Sequence, residues 1–232
     1  MNGISIIVPT RNVPNFLKEC IESIKKQVVN FEYEIIIGVD NCEKTVQHIQ
    51  TNPEFYNDIT VYSFFENVGP YIIKNNLIDY CKYNTLLFFD SDDIMVQNML
   101  QTVHNTIKTY DVIQFKYVDF RGDIRNQMKG GLAEGIIGIK KDIFIENGGF
   151  ENWICAADSE FRKRLLHRKI NMTLIPNIMI YRRLHENNLT ISEQTNYKSI
   201  IRKKYAEEIK EREKNKSWTN PIKLIKEHIK IK

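Results

Sequence analysis

The sequence predicts an α/β protein, a mostly parallel sheet flanked by helices, and three observations predict it. Short β-branched runs at residues 5–8, 34–39, 60–64 and 85–89 alternate with helical patterns from the start of the chain. The second and fourth runs are nearly continuous in apolar residues, as strands buried on both faces require. The chain has 232 residues, 42% of them hydrophobic, enough for one sizeable domain with a full core.

The elements follow in the order β-α-β-α-β-α-β. Behind Pro14-Asn15, the residues Phe16, Leu17, Cys20, Ile21 and Ile24 recur at helical spacing, and Ile72, Ile73, Leu77 and Ile78 repeat the pattern behind Pro70. These read as crossover helices. Beyond them the spacing predicts a helix near 96–110, a strand near 112–118, a polar loop holding Arg121-Gly122-Asp123 and a strand over 135–139. A short helix over 141–146 is closed by Gly148-Gly149, and a helix over 158–167 buries Phe161 and Leu165 and carries Asp158 in its first turn.

The expected division is a domain over residues 1–190 and a helical, lysine-rich C-terminal extension over 191–232. In the extension a helical pattern runs through Ile201, Tyr205 and Ile209, and Asn220-Pro221 reads as a second helix start. There Ile222, Ile225 and Ile229 make an apolar stripe among Lys223, Lys226 and Lys230. Three readings stand for it: packing on the domain or on a second subunit, peripheral contact with an anionic membrane, and nucleic-acid contact.

The net charge of +4 comes largely from that basic stretch and falls short of a dedicated nucleic-acid binder. The four cysteines, Cys20, Cys42, Cys81 and Cys155, lie far apart with no C-x-x-C pair, which argues for reduced, buried thiols over zinc or a disulfide framework. The opening apolar run is too short for a signal peptide, and no later run approaches the ~18 residues of a membrane span, so a cytoplasmic protein is expected.

Open α/β sheets bind ligands at the carboxyl ends of their strands. The residues there are Thr10-Arg11, Asp40-Asn41, Asn67-Val68-Gly69 and Asp90-Ser91-Asp92-Asp93. The last group packs three carboxylates into four positions, a repulsive cluster that Mg²⁺ or Mn²⁺ bridging a nucleotide's phosphates would relieve. The plain alternative is a solvated acidic turn in which Asp92 or Asp93 caps the following helix. An EF-hand is excluded, because Met95 and Gln101 stand where its glycine and glutamate belong. An aspartyl-phosphate phosphatase fits poorly, since the motif follows the fourth strand and has Ile94 in the threonine position.

Four further segments narrow the reading: Ser5-Ile6-Ile7-Val8-Pro9-Thr10-Arg11-Asn12, residues 34–39 with Asp40, Asn67-Val68-Gly69-Pro70-Tyr71-Ile72-Ile73-Lys74-Asn75, and residues 135–150 followed by Ala157-Asp158. Together with the acidic cluster they resemble family 2 glycosyltransferases of the GT-A fold, a Rossmann-like architecture, over about residues 3 to 190. The resemblance implies a nucleotide site at Pro9, Thr10, Arg11, Asp40, Asn67, Lys74, Asp90, Ser91 and Asp92. Arg11 replaces the family's usual aromatic, and Lys74 its usual arginine, which keeps the cation and loses the fork. Asp40 would hold the base, typically uracil. Asp90 would meet the ribose, and Asp92 would bind Mn²⁺ or Mg²⁺ on the diphosphate.

By the same resemblance Asp158 is the catalytic base, with Glu160 as second candidate, while Ala157 replaces the family's usual glutamate. His185 stands where several members complete the metal site, although a lone histidine after a strand also serves as a surface or hydrogen-bonded residue. Arg182 and Arg183 face either phosphate or solvent. Trp153 offers an indole face for an acceptor sugar or, equally, for the core.

The implied reaction is a single displacement with inversion, from a nucleoside-diphosphate sugar, UDP-sugar favoured, to a hydroxyl of a polysaccharide or glycoprotein glycan. Two other classes compete. A sugar nucleotidyltransferase usually carries a glycine- and arginine-rich loop after its first strand, which Pro9-Thr10-Arg11-Asn12 lacks. A non-catalytic nucleotide- or glycan-binding module is made conceivable by Ala157 and Lys74, and retention of Asp90, Asp92 and Asp158 speaks against it.

Overall fold

The computed structural model describes residues 3–232. The chain runs β1 (Gly3–Thr10), α1 (Pro14–Lys25), β2 (Glu32–Asp40), α2 (Glu43–Gln50), β3 (Thr60–Phe64), α3 (Pro70–Leu77) and β4 (Thr85–Phe88). It continues through β5 (Ile94–Met95), α4 (Met99–Thr106), β6 (Val112–Arg121), β7 (Asp123–Lys140), α5 (Lys141–Glu146) and α6 (Ala157–His167). Last come β8 (Met172–Arg183), α7 (Ile200–Asn215) and β9 (His228–Lys230). They form one nine-stranded sheet in the order β5-β8-β6-β7-β4-β1-β2-β3-β9.

The parallel heart β4-β1-β2-β3 is the part predicted from the apolar runs. Its side chains alternate between faces with period two. Ile6, Val8, Ile37 and Leu87 pack with α1 and α4 residues on one side, and Ile7, Ile36, Leu86 and Phe88 pack with α3, α5 and α6 residues on the other. Each side is a separate cluster, so the sheet is covered on both faces. At β7 the pairing turns antiparallel to β4 and β6, where the parallel rhythm of the sequence also stops. The Arg121-Gly122-Asp123 segment, expected as a polar loop, is the hairpin turn between β6 and β7, with Gly122 at φ +66°.

Close approach of α3 to β2 depends on Gly38. A methyl group there would sit on the Ile73 side chain and 2.8 Å from Leu77 Cδ1. Gly38→Ala is therefore expected to lower stability by about 1–3 kcal/mol through overpacking, read as a lower denaturation midpoint with an unchanged slope.

The C-terminal extension differs from its expectation. α7 is helical, but residues 217–227 form neither helix nor strand and lead into β9, which pairs antiparallel with β3. A helix started at Asn220 is outcompeted because other groups hold the segment's polar atoms. Asn76 brackets Leu224 O and the Lys226 amide, Asn152 donates to Ile222 O, and Phe65 N donates to Glu227 O. Lys223 and Lys226 pair with Asp79 and Glu66, so two of the stripe's three lysines are engaged on the domain itself. No helix among the described residues is long and apolar enough to cross a membrane. All four cysteines are free and buried.

Candidate active site

The carboxyl ends of β1, β2 and β4 open into a cleft of ≈ 610 Å³. Pro9, Thr10, Arg11, Asp40, Asn67, Lys74, Asp90, Ser91, Asp92, Asp158 and His185 all line it. Trp153 does not. Its ring stacks face to face on Tyr205 of α7, 4.3 Å between centroids, and Arg212 lies over it, so the indole holds the C-terminal helix instead of a sugar.

On the β1–β2 side, Asp40 is buried at the end of β2, and its two oxygens accept from the Val68 and Gly69 amides at 2.7 and 3.0 Å. Those amides open α3, where Gly69 takes φ +81° and Pro70 follows at the first helical position. Burial raises the Asp40 carboxyl above its ordinary range, and the two amides and Arg11 offset part of that rise. Each carboxylate oxygen keeps a second lone pair for a ligand N–H. Thr10 Oγ1 is buried and finds no hydrogen-bond partner among the described residues, an orphan that a nucleoside would satisfy.

The acidic turn divides its labour. Asp93 points inward, buried, and accepts from the Arg183 amide of β8 at 2.9 Å. Burial first, then Asp92 and Asp90, push its carboxyl well up. Asp90 takes the Lys74 ammonium at 2.9 Å, and Lys74 also donates to Gly135 O at 3.0 Å. Lys74 is only 1% exposed, so it ties α3 to β4 and β7 at the cleft floor. The turn does not cap the next helix, since α4 starts at Met99 behind Asn98 and β5 intervenes.

Asp92 Oδ2 lies 2.8 Å from His185 Nε2 and accepts from Asn188 Nδ2 at 2.9 Å. No group of three or more His, Cys, Asp or Glu that could hold a metal is present among the described residues. A carboxylate and an imidazole side by side still fit a divalent ion whose remaining ligands are phosphate oxygens and water, the usual pattern for nucleotide-bound Mg²⁺ and Mn²⁺. Arg182 is paired with Asp119, and Arg183 with Glu19 and Asp92 O.

Asp158 sits at the start of α6, behind Ala156 in the left-handed region at φ +64°. Its Oδ1 accepts from Tyr71 Oη at 2.9 Å and from the Ser159 amide at 3.0 Å. Ala157 is fully buried, in the same apolar cluster as Phe144, Phe150 and Phe161. Glu160 is a correction. It is 0% exposed and clasped by Arg164 at 2.7 and 2.9 Å, with Arg212 at 3.1 Å, and does not reach the cleft. Burial raises its carboxyl, and Arg164 offsets part of the rise. Glu160→Ala strands the buried Arg164 guanidinium and is expected to cost about 3–5 kcal/mol of stability, measured by denaturant unfolding.

Tyr71, Glu134, Asn188 and Arg202 also line the cleft and were not singled out from the sequence. Tyr71 lies inside the quoted segment Asn67–Asn75, where its side-chain chemistry was the available signal, and Asn188 lies three positions past His185. Arg202 carried none.

Fold and cleft together define an α/β protein of the GT-A type, with an acidic turn at the strand ends. The chain belongs to glycosyltransferase family 2, whose model, described as "Glycosyl transferase family 2", matches residues 5–210. A GalNAc(5)-diNAcBac-PP-undecaprenol beta-1,3-glucosyltransferase of Campylobacter jejuni is 28% identical over 174 residues, 73% of this chain and 54% of that one. The structure of S. aureus TarS 1-349 in complex with UDP-GlcNAc aligns with TM-score 0.67 at 20% identity, over 80% of this chain and 60% of that one. The mannosyltransferase PcManGT from Pyrobaculum calidifontis in complex with GDP-Man and Mn²⁺ aligns with TM-score 0.61 at 15% identity, over 80% and 58%. The chain thus spans little more than half of each of these matched chains, and 37% of the longer TarS structure.

Proposed function

We propose that this chain is an inverting, metal-dependent glycosyltransferase that moves a sugar from a UDP-sugar to a hydroxyl of a polysaccharide or glycoprotein glycan. One observation carries the reading. Asp158 and Asp90 border the same gap over Gly135, where a Cβ would lie 3.2 Å from Asp158 Oδ2 and 3.8 Å from Asp90 Oδ2. A base and the floor of a nucleotide site thus share a space that the missing side chain leaves open.

In this reading Thr10 and Asp40 hold the nucleoside, and Asn67 lines the same wall. Lys74 fixes Asp90 toward the ribose. Asp92 and His185 hold the divalent ion, which when bound offsets charge growing on the leaving diphosphate. Asp158 takes the proton from the acceptor hydroxyl as it attacks the anomeric carbon from the opposite side. The UDP-GlcNAc of the TarS complex and the Mn²⁺ of the PcManGT complex support the choice of donor and ion. The name of the Campylobacter relative supports a glycan acceptor.

The test is calorimetry with UDP-, GDP-, CMP- and dTDP-sugars, in Mn²⁺ and in chelator. Metal-dependent binding of a UDP-sugar supports the reading. Binding of no donor would leave a non-catalytic member of the family, and preference for a nucleoside triphosphate would make the chain a nucleotidyltransferase.

A further inference from the structure

We infer that Tyr71 is a positioning residue that sets which oxygen of Asp158 acts as the base. The inference rests on Asp158 being the base. A carboxylate at the start of a helix has free rotation about its last bond, and either oxygen could face the acceptor. Here Oδ1 is occupied twice, by the Tyr71 hydroxyl at 2.9 Å and the Ser159 amide at 3.0 Å. Oδ2 is left toward Gly135 and the cleft. Two donors on one oxygen and, among the described residues, none on the other select a single orientation.

Tyr71 is itself well placed to do this. It stands in the first turn of α3, fixed by Pro70 before it and by the Phe150 ring 5.5 Å away. Burial, then the Asp158 carboxylate, push its phenol well up, so it remains a donor at any pH at which the protein is assayed. The link also joins the two walls of the cleft. α3 carries Lys74, which holds Asp90, and α6 carries Asp158, so donor side and base are registered through one helix. The misplacement of a reacting group by about 1 Å is enough to cost on the order of 100-fold in rate.

The experiment is a double-mutant cycle of Tyr71→Phe with Asp158→Asn, in Mn²⁺. It follows UDP release from UDP-GlcNAc or UDP-glucose with water as acceptor, beside donor affinity by calorimetry. Phenylalanine keeps the ring and its packing and removes only the hydroxyl, and unchanged donor affinity doubles as the check on folding.

Tyr71→Phe is expected to lower kcat about 10- to 100-fold with donor Kd and KM unchanged, and to change the rate less than about twofold when Asp158 is already asparagine. Equal losses on both backgrounds, or a loss of donor affinity, would assign Tyr71 an independent structural role and overturn the inference. So would wild-type kcat in Tyr71→Phe beside an inactive Asp158→Asn, which leaves the base reading intact. Full activity in Asp158→Asn would remove the base reading and the inference with it.

Discussion

Asp158→Asn is expected to lower turnover about 10²- to 10⁴-fold and to leave donor affinity within about twofold. The size follows from general-base catalysis, in which the positioned acceptor of a proton is removed while the rest of the site persists. Asparagine keeps the shape of the side chain, and its carbonyl oxygen still accepts from Tyr71 and the Ser159 amide, as Oδ1 does now. What it lacks is a second basic oxygen toward Gly135. In the proposed reading the donor contacts lie with Thr10 and Asp40 at the ends of β1 and β2 and with Asp92 in the turn after β4, away from α6, so binding should be spared. UDP release with water as acceptor reads the loss without the natural acceptor. A variant that loses kcat and donor affinity together would mean that Asp158 shapes the donor site instead.

Asp92→Ala is expected to lower kcat/KM on the order of 10³-fold, since the ion that the proposal places on it would contribute several kcal/mol of charge stabilisation to the leaving diphosphate. Its signature is metal linkage. The native protein should lose donor affinity on chelation, whereas the variant should bind weakly with or without Mn²⁺. His185→Ala, which removes the imidazole 2.8 Å from Asp92 Oδ2, should shift the Mn²⁺ concentration needed for half activity upward by about 10-fold with a smaller loss at saturation. Metal-independent activity in both the native protein and Asp92→Ala would refute the metal reading.

The parts of this protein legible in the sequence are those written in local chemistry. Continuous apolar runs over residues 34–39 and 85–89 could only be strands buried on both sides, and both are. Helix starts at Pro14 and Pro70 follow from a proline's missing N–H, which costs nothing in a first turn. The motif residues quoted after each strand converge on one cleft because a parallel sheet brings all its carboxyl ends to one edge. β7 and β8 were read short or not at all. β7 is 18 residues long and its outer part is exposed and polar, so no apolar run marks it, and the 12 residues of β8 are interrupted by Pro176-Asn177, a pair that reads as a break.

The sequence by itself thus determined the α/β class, the parallel heart, the family and part of the lining of the cleft, since each is carried by neighbours along the chain. Only the tertiary structure decided what each side chain touches. Glu160 and Asp158 are two positions apart on one helix, yet a turn of about 200° sends one to Arg164 in the interior and the other to the cleft. Trp153 faces Tyr205, and Asn220 begins no helix, because partners distant in sequence reach their atoms first. Tyr71 meets Asp158 across 87 positions, a contact that exists only once the sheet has brought α3 and α6 to the same edge.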